Sequence, residues 1–274
     1  MKFSAPFFSF LGLASAACHH NTHLYSRQSN PTSYSYYGPN GPLNWGSLSP
    51  DYAVCNSGTE QSPIALKTSS AKPGCERLRF HGPTNGSGTL ENSKDTLQVT
   101  SPDVSLVVAS ANGALPGSPD PRKLTLAQFH FHTPSEHFID GMNKPLEVHF
   151  VFQDEQSRLT VVGILIDYAT KKTSPPSTFL ENVFANVDQV TEDGMTAPTM
   201  ELNYSEIAGL LQGPIMQYAG SLTTPPCSEG VSWNVASELL YVSQQTYAKV
   251  KNIMRYNARF IQGTQEEVDA GAAY

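Results

Sequence analysis

The sequence predicts a mainly β protein of the α+β class, built as a single domain with a few short helices. Three observations predict this fold class. Many short apolar stretches are separated by Gly, Pro and Asn, and two longer segments alternate between polar and apolar residues. In addition, no internal repeat and no linker follow residue 45.

The elements can be placed in chain order from their periodicity and from the turns that bound them. The predicted strands are 78–81, 89–90, 97–99, 104–109, 123–132, 146–153, 160–166 and 230–236. The predicted helices are 179–187, 204–211 and 243–254. Residues 45–63 are predicted to be loop-like, and 260–262 a late edge segment.

Composition and charge exclude some classes of function. The chain has 274 residues, of which 39% are hydrophobic and 15% charged, so it can bury a large core and is not a disordered protein. Its net charge is −7, and Lys and Arg are not clustered anywhere along it. Nucleic-acid binding is therefore not predicted, because proteins that follow phosphates need positive charge.

The N-terminus is typical of a secretory signal peptide over residues 1–17. Lys2 is followed by a short apolar run, and Ala14-Ser15-Ala16 is typical of a cleavage site. Residues 18–43 are predicted to be an irregular arm, and 265–274 a C-terminal tail without a membrane-anchor signal. We expect a soluble, secreted, extracellular protein.

Export makes disulfides and glycosylation plausible modifications. Cys18, Cys55, Cys75 and Cys227 allow three pairings, among which the spacing does not choose. Asn85 and Asn203 begin sequons for N-glycosylation.

The segment 123–132 carries the first metal-binding signal. If it is a strand, Gln128, His130 and His132 share one face, and the phenylalanines between them point to the other. Two imidazoles on one rigid face are suited to hold a metal ion. A lone histidine is more often an ordinary core residue, so this pair needs a third ligand.

The segment 146–153 supplies that ligand. Glu147 and His149 lie on its polar face, and two neighbouring strands would bring His149 to His130 and His132. Three histidines leave a fourth tetrahedral position open, as in catalytic zinc sites. Gln128 and Glu147 each lie two residues before a histidine, where they can accept an imidazole N–H.

A cupin site is the alternative reading of the His130, His132 and Glu136 spacing. The glycine that a cupin would have six residues before the first histidine is Leu124 here. A cupin would have an asparagine four residues after His149, and this sequence has Gln153 there. The cupin interpretation is therefore not favoured.

Seven motifs resemble the α-class carbonic anhydrases of the secreted, eukaryotic type. The three longest are Gln128-x-His130-x-His132-x3-Glu136-His137, Glu147-x-His149, and Ser221-Leu222-Thr223-Thr224-Pro225-Pro226-Cys227. The others are Trp45-Gly46, Gln61-Ser62-Pro63-Ile64, Val231-x-Trp233 and Asn257-x-Arg259. The resemblance implies a domain over residues 44–264, built around a large, twisted, mostly antiparallel sheet.

The resemblance also implies the reaction and the residues that perform it. His130, His132 and His149 would ligate Zn²⁺, and zinc-bound hydroxide would attack CO₂ to give bicarbonate and a proton. Thr223 would orient the hydroxide by passing its own hydrogen to Glu136. The remaining implied roles are substrate contacts at Thr224, an apolar CO₂ wall at Val151, Val161, Leu222 and Trp233, outer contacts at Asn257, and a Cys55–Cys227 disulfide.

One departure from the family concerns the exit of the proton. Asp95 stands where fast family members have a shuttle histidine, and Ser47 stands where they usually have a tyrosine. Because a free Asp titrates near 4, it is poorly suited to carry protons at about pH 7. We therefore expect turnover limited by proton transfer, with buffer as the acceptor.

Two questions stay open at this point. The chain could be a non-catalytic carbonic-anhydrase-like binding module, although its ligand triad is intact. It could also be a monomer or a homodimer, and Cys18 and Cys75 could pair with each other or between chains.

Overall fold

The computed structural model describes residues 33–73, 78–81, 86–101, 104–108, 122–170 and 173–269. Its strands are β1 Ile64–Leu66, β2 Lys72–Pro73, β3 Leu78–His81, β4 Thr89–Asn92, β5 Leu97–Thr100, β6 Ser105–Val108, β7 Arg122–His132, β8 Phe138–Ile139, β9 Leu146–Gln153, β10 Leu159–Tyr168, β11 Thr196–Pro198, β12 Pro214–Ser221, β13 Glu229–Ala236, β14 Leu240–Val242 and β15 Gly263–Thr264. The α-helices are α1 Trp45–Leu48, α2 Val54–Ser57, α3 Thr178–Val183, α4 Ser205–Leu210, α5 Gln244–Met254 and α6 Gln265–Asp269.

Short 3₁₀ helices occupy several connections between these elements. They are Gly38–Asn40, Pro42–Asn44, Pro50–Tyr52, Thr68–Ser70 and Val187–Gln189. The described part of the chain contains no helix long and apolar enough to cross a bilayer.

One large sheet organises the molecule. Its described strands run in the order β11–β4–β5–β7–β9–β10–β13–β12–β2, with β6 beside β7, β3 beside β6, and β14 beside β10. The pairings of β10 with β13 and with β14 are parallel, and the others in this sheet are antiparallel. The predicted fold class, a mainly β protein around a large, mostly antiparallel sheet, is confirmed.

Apolar side chains cover both faces of this sheet. The larger core packs Phe129, Phe131 and Phe150 against the buried residues of α3, α4 and α5. The second core lies on the other face and includes Val161 and Trp233. Since both faces of the central strands are covered, β9 and β10 are buried along almost their whole length.

Side-chain caps explain where two of the helices begin. Ser177 precedes α3, and its Oγ accepts a hydrogen bond from the backbone N–H of Leu180 at 3.2 Å. Ser243 precedes α5 and accepts from Thr246 in the same way at 3.1 Å. Each serine satisfies an N–H that the first turn of the helix leaves without a partner.

The eight predicted strands and three predicted helices all appear in the structure, with boundaries shifted by a few residues. The strand β12 was not predicted, because it starts at a proline and its burial pattern does not alternate. The short strands β1 and β14 and the helices α1 and α2 were also missed. The edge segment predicted at 260–262 is wrong, since the strand there is β15 at Gly263–Thr264.

The described residues begin and end with segments that pack on the domain. Residues 1–32 lie outside the described residues, and with them the predicted signal peptide, Cys18 and most of the predicted arm. From residue 33 onward the arm packs on the domain, because Tyr36 is buried and meets Trp45 edge to face at 5.5 Å. In the predicted tail, α6 buries Gln265, and Val268 packs against the second core.

Candidate metal centre

The register of two neighbouring strands, β7 and β9, brings the three predicted histidines together. His130 on β7 is paired directly with His149 on β9, and His132 lies two residues further along the same face. One ring nitrogen from each of the three lies within 4.8 Å of the others. All three side chains are buried.

A β-bulge in β7 puts the histidines on this face. Leu126 is paired with Phe152 and Gln128 with Val151, so Ala127 has no partner on β9. Before the bulge the even-numbered Leu126 belongs to the large core, and after it the odd-numbered Phe129 does. Because the extra residue reverses the alternation, His130 and His132 face away from the large core.

An acceptor fixes one nitrogen of each imidazole. The three contacts are His130 Nδ1 to Gln128 Oε1 at 2.9 Å, His132 Nδ1 to the carbonyl of Asn257 at 2.7 Å, and His149 Nε2 to Glu147 Oε1 at 2.9 Å. Each acceptor selects the tautomer that carries hydrogen on the contacted nitrogen. The nitrogens left to ligate are Nε2 of His130, Nε2 of His132 and Nδ1 of His149.

The donor set fits a metal ion. Burial lowers the pKa of all three imidazoles, that of His132 to about 4, so the rings are neutral at pH 7. Among the described residues, the buried Nε2 of His132 has no hydrogen-bond partner. Three neutral nitrogen ligands with a fourth position open match a catalytic zinc site better than a closed structural one.

Glu147 joins the centre to a fourth histidine, His137, which the sequence analysis had not assigned a role. Its Oε1 also lies 2.7 Å from Nδ1 of His137, and its Oε2 accepts from the backbone N–H groups of Glu136 and His137 at 2.8 and 2.9 Å. The other ring nitrogen of His137 lies 2.7 Å from the hydroxyl of Tyr218. Although burial raises the pKa of Glu147, the neighbouring His137 and His149 and their hydrogen bonds hold it well below its usual range.

The Thr223–Glu136 pair lies beside the ligands. Oε2 of Glu136 is 3.4 Å from Nε2 of His132 and 3.9 Å from Nδ1 of His149. Burial raises the pKa of Glu136 to about 7, while hydrogen bonds from the backbone of Arg259 and from the Thr223 side chain act in the opposite direction. A dication at the three histidines would favour the carboxylate form further. Thr223 and Thr224 are both buried.

The predicted apolar wall is a single row across the sheet. Val151 on β9 is paired with Val161 on β10, which in turn is paired with Trp233 on β13. The Trp233 ring lies 4.8 Å from the ring of His149, and its Nε1 donates to the carbonyl of Ser221 at 2.9 Å. Leu222 is half-buried against the same cluster. The structure therefore places an apolar surface next to the third histidine.

Gln98 also faces the centre and was missed by the sequence analysis. It lies on β5, where it is paired with His130, so the two side chains share a face. It is buried, and its Oε1 has no hydrogen-bond partner among the described residues. Its position inside the predicted strand 97–99 was the only signal available, because a single buried Gln has no distinctive spacing.

Asp95 lies in the turn after β4 and lines a cleft of about 490 Å³. Tyr37, Lys94, Arg255 and Tyr256 also line this cleft, and none of the three histidines does. Burial raises the pKa of the Asp95 carboxyl; the charge of Lys94 lowers it and that of Asp193 raises it.

Ser47, at the position where the family usually has a tyrosine, is exposed on α1. Its neighbour Gly46 donates its N–H to Asn56 instead. Tyr36 is a buried tyrosine in this region. Burial lowers the pKa of Arg259 to about 10, and the interaction with Tyr36 acts in the opposite direction.

The disulfide Cys55–Cys227 is present, as the resemblance implied, and it joins positions 172 residues apart. Cys75 and Asn85 lie outside the described residues. Asn203 is exposed just before α4, and its Oδ1 accepts from the backbone N–H of Ser205.

Comparison with known proteins gives one consistent family. The family model for eukaryotic-type carbonic anhydrase matches residues 40–266. A carbonic anhydrase of Pectobacterium carotovorum is 33% identical over 238 residues, which cover 84% of this chain and 86% of that protein. A carbonic anhydrase of Neisseria gonorrhoeae is 35% identical over 219 residues, covering 78% of each.

A solved structure agrees with the sequence matches. The fungal α-carbonic anhydrase from Aspergillus oryzae superposes with a TM-score of 0.74 at 37% identity, covering 84% of this chain and 93% of that chain.

Proposed function

The chain belongs to the eukaryotic-type carbonic anhydrases, which hydrate CO₂ reversibly to bicarbonate and a proton, and we propose that it does so at a zinc ion held by His130, His132 and His149. One observation carries the proposal. The three imidazoles are buried and neutral, each has its other nitrogen fixed by an acceptor, and their ligating nitrogens lie within 4.8 Å of one another.

Zinc bound there would supply Lewis-acid chemistry, lowering the pKa of a water so that hydroxide is available near neutral pH. The protein supplies orientation. Glu136 accepts a hydrogen bond from the backbone N–H of Arg259 at 2.8 Å and would accept one from the Thr223 hydroxyl, which leaves the Thr223 oxygen as an acceptor with a defined direction. That direction aims the nucleophile at the substrate.

The substrate needs an apolar surface with a few polar groups at its edge, because CO₂ has no charge and no hydrogen to donate. Val151, Val161, Leu222 and Trp233 form the apolar surface. Thr224 would contact the oxygens of bicarbonate. Trp233 also positions the segment that carries Thr223, because its indole N–H donates a hydrogen bond to the carbonyl of Ser221.

The proton leaves by a route that differs from that of the fast family members. Asp95 stands at the shuttle position and faces a cleft that none of the three histidines lines. We therefore expect hydration to be limited by proton transfer to buffer. Raising the concentration of an imidazole buffer should increase kcat while kcat/KM stays constant, and a kcat already saturated in weak buffer would contradict this.

The direct test of the function is stopped-flow CO₂ hydration by the purified chain before and after removal of metal with a chelator. Activity should disappear with the metal and return with added zinc. His149→Ala should be inactive while still folded, with Glu155→Gln, an exposed position beyond β9, as the control. A folded protein that takes up zinc but does not hydrate CO₂ would favour the alternative, a non-catalytic binding module.

Secretion and processing belong to the same proposal. The signal-like residues 1–17, the Cys55–Cys227 disulfide and the exposed sequon at Asn203 all suit an extracellular protein. Mass spectrometry of the secreted chain would show cleavage near Ala17 and glycan mass at Asn203. Digestion without reduction would show whether Cys18 pairs with Cys75 in a monomer or between two chains.

A further inference from the structure

Arg259 is a charged side chain in an almost dry environment. It is 2% exposed, and within the described residues no carboxylate lies at salt-bridge distance from its guanidinium. It packs over the ring of Trp45 at 5.8 Å. Burying a guanidinium is costly unless its hydrogen bonds are satisfied, so the contacts it makes indicate what it is there to hold.

The guanidinium donates hydrogen bonds to three residues of the segment 55–62. Nη1 donates to Oε1 of Gln61 at 2.9 Å and to the carbonyl of Ser62 at 2.8 Å. Nη2 donates to the carbonyl of Cys55 at 2.8 Å. A planar fork with fixed donor directions suits this task, and a lysine ammonium does not reproduce it.

Those three residues in turn hold both ends of the segment 221–227, which carries Thr223 and Thr224. At one end, the N–H of Ser62 donates to Ser221 Oγ at 2.9 Å, and Ser62 Oγ accepts from the N–H of Ser221 at 3.0 Å. At the other end, Gln61 Nε2 donates to the carbonyl of Cys227 at 3.1 Å, and Cys55 is bonded to Cys227.

The backbone of Arg259 holds the partner of Thr223. Its N–H donates to Oε1 of Glu136 at 2.8 Å, which sets the orientation of that carboxylate beside the metal ligands. A single residue thus fixes the hydroxyl-bearing segment through its side chain and the carboxylate through its main chain.

We propose that Arg259 is the positioning residue of the Thr223–Glu136 pair. It touches neither metal nor substrate, and it sets the distance and angle between the two groups that orient the nucleophile. The catalytic part of this inference rests on the proposed function, and the structural part does not. A small misplacement of an orienting group can lower a rate by about a hundredfold.

The first test needs no activity and uses the metal-free chain. Amide hydrogen exchange is compared between wild type, Arg259→Lys and the control Arg158→Lys, whose side chain pairs with Asp154 at a loop. In Arg259→Lys, exchange should accelerate by about tenfold or more at the N–H groups of Leu222 and Cys227, which close the 221–228 loop, and stay unchanged at β10. Unchanged exchange at this loop would overturn the proposal.

The second test uses zinc-loaded protein and a double-mutant cycle. Arg259→Lys should lower kcat/KM for CO₂ by about tenfold to a hundredfold while zinc content stays at that of wild type. In a Thr223→Ala background the same substitution should lower it by less than about twofold, because Arg259 acts through Thr223. Equal losses in both backgrounds, or zinc lost in parallel with activity, would overturn the proposal.

A third variant covers the case in which Arg259→Lys does not fold. Gln61→Met keeps Arg259 and its bonds to Ser62 and Cys55, and it removes the contacts of the Gln61 amide with Arg259, Cys227 and Glu229. It should give the same faster exchange at Cys227, and a normal exchange pattern there would refute the proposal. If wild type with full zinc fails to hydrate CO₂, the proposed function fails, while the exchange measurements still decide the structural part.

Discussion

Replacing Glu147 with glutamine should weaken both the fold and the metal centre. The carboxylate is fully buried and is the acceptor for two ring nitrogens at Oε1 and for two backbone N–H groups at Oε2. Glutamine has the same shape and one oxygen instead of two. In either orientation of its amide, the NH₂ group faces two N–H donors that have lost their acceptor.

The magnitude follows from those two donors. A buried donor without a partner costs about 1–3 kcal/mol, so Glu147→Gln should lower the free energy of unfolding of the metal-free chain by about 2–6 kcal/mol. Weaker support of the His149 tautomer should reduce zinc affinity by about 10–100-fold, which is the range seen when a partner of a ligating histidine is removed.

Urea unfolding and competition with a chromophoric zinc chelator measure the two effects separately. The control is Glu155→Gln, which makes the same chemical change at an exposed position. The reasoning would be refuted if Glu147→Gln unfolded within about 0.5 kcal/mol of wild type, as surface substitutions do, and kept its zinc affinity.

Three further predictions concern other parts of the framework. Cys55→Ser should lower the free energy of unfolding by about 2–5 kcal/mol, since the disulfide joins positions 172 residues apart; urea unfolding should show it, and no change would contradict the prediction. Gly163→Ala should lower the free energy of unfolding by about 1–3 kcal/mol, because the new Cβ would lie 3.1 Å from Oε1 of Glu147. The control is Gly209→Ala in the helix α4, where a Cβ would meet no atom within 4 Å, and thermal unfolding should show it to be as stable as wild type or more stable. Burial raises the folded pKa of Asp95 above the unfolded value of 3.8, so the stability that this group contributes is present below pH 3.8 and is lost as the pH rises through the folded pKa. The free energy of unfolding of Asp95→Asn should therefore increase relative to that of wild type between pH 3 and pH 7. A difference that does not depend on pH would count against this assignment.

The ligand set could be predicted from the sequence because it depends on local alternation. His130 and His132 are two residues apart, and Glu147 and His149 repeat the spacing on the next long strand. Pairing of the two strands then needs only the short connection between them. The bulge at Ala127 was not predicted, although the apolar core positions change there from the even-numbered Leu126 to the odd-numbered Phe129.

The supporting contacts were harder to predict because they join distant parts of the chain. Tyr218 reaches His137 from β12, a strand whose pattern does not alternate. Arg259 bonds to two backbone carbonyls and one amide oxygen, and backbone acceptors have no sequence signature. Thr223 and Glu136 were assigned from the resemblance alone, and the structure brings them to the ligands through the loops.

The residues of the predicted proton route, Asp95 and Ser47, were assigned from their positions in the family motifs alone. Asp95 was assigned from its position in the family motif, and in the structure it lines a cleft together with Lys94 and Arg255. Ser47 was assigned in the same way and is exposed on α1, while Tyr36 is a buried tyrosine of that region. Alignment of a short, loop-rich segment carries little physical constraint, in contrast to the strands that hold the histidines.

The most direct test of the metal-centred account is a zinc titration of the metal-free chain, with the rate of CO₂ hydration recorded at each step. The account predicts that the rate rises in proportion to bound zinc and stops rising at one zinc per chain. Substantial hydration before any zinc is added, or none when the three-histidine site is full, would contradict it.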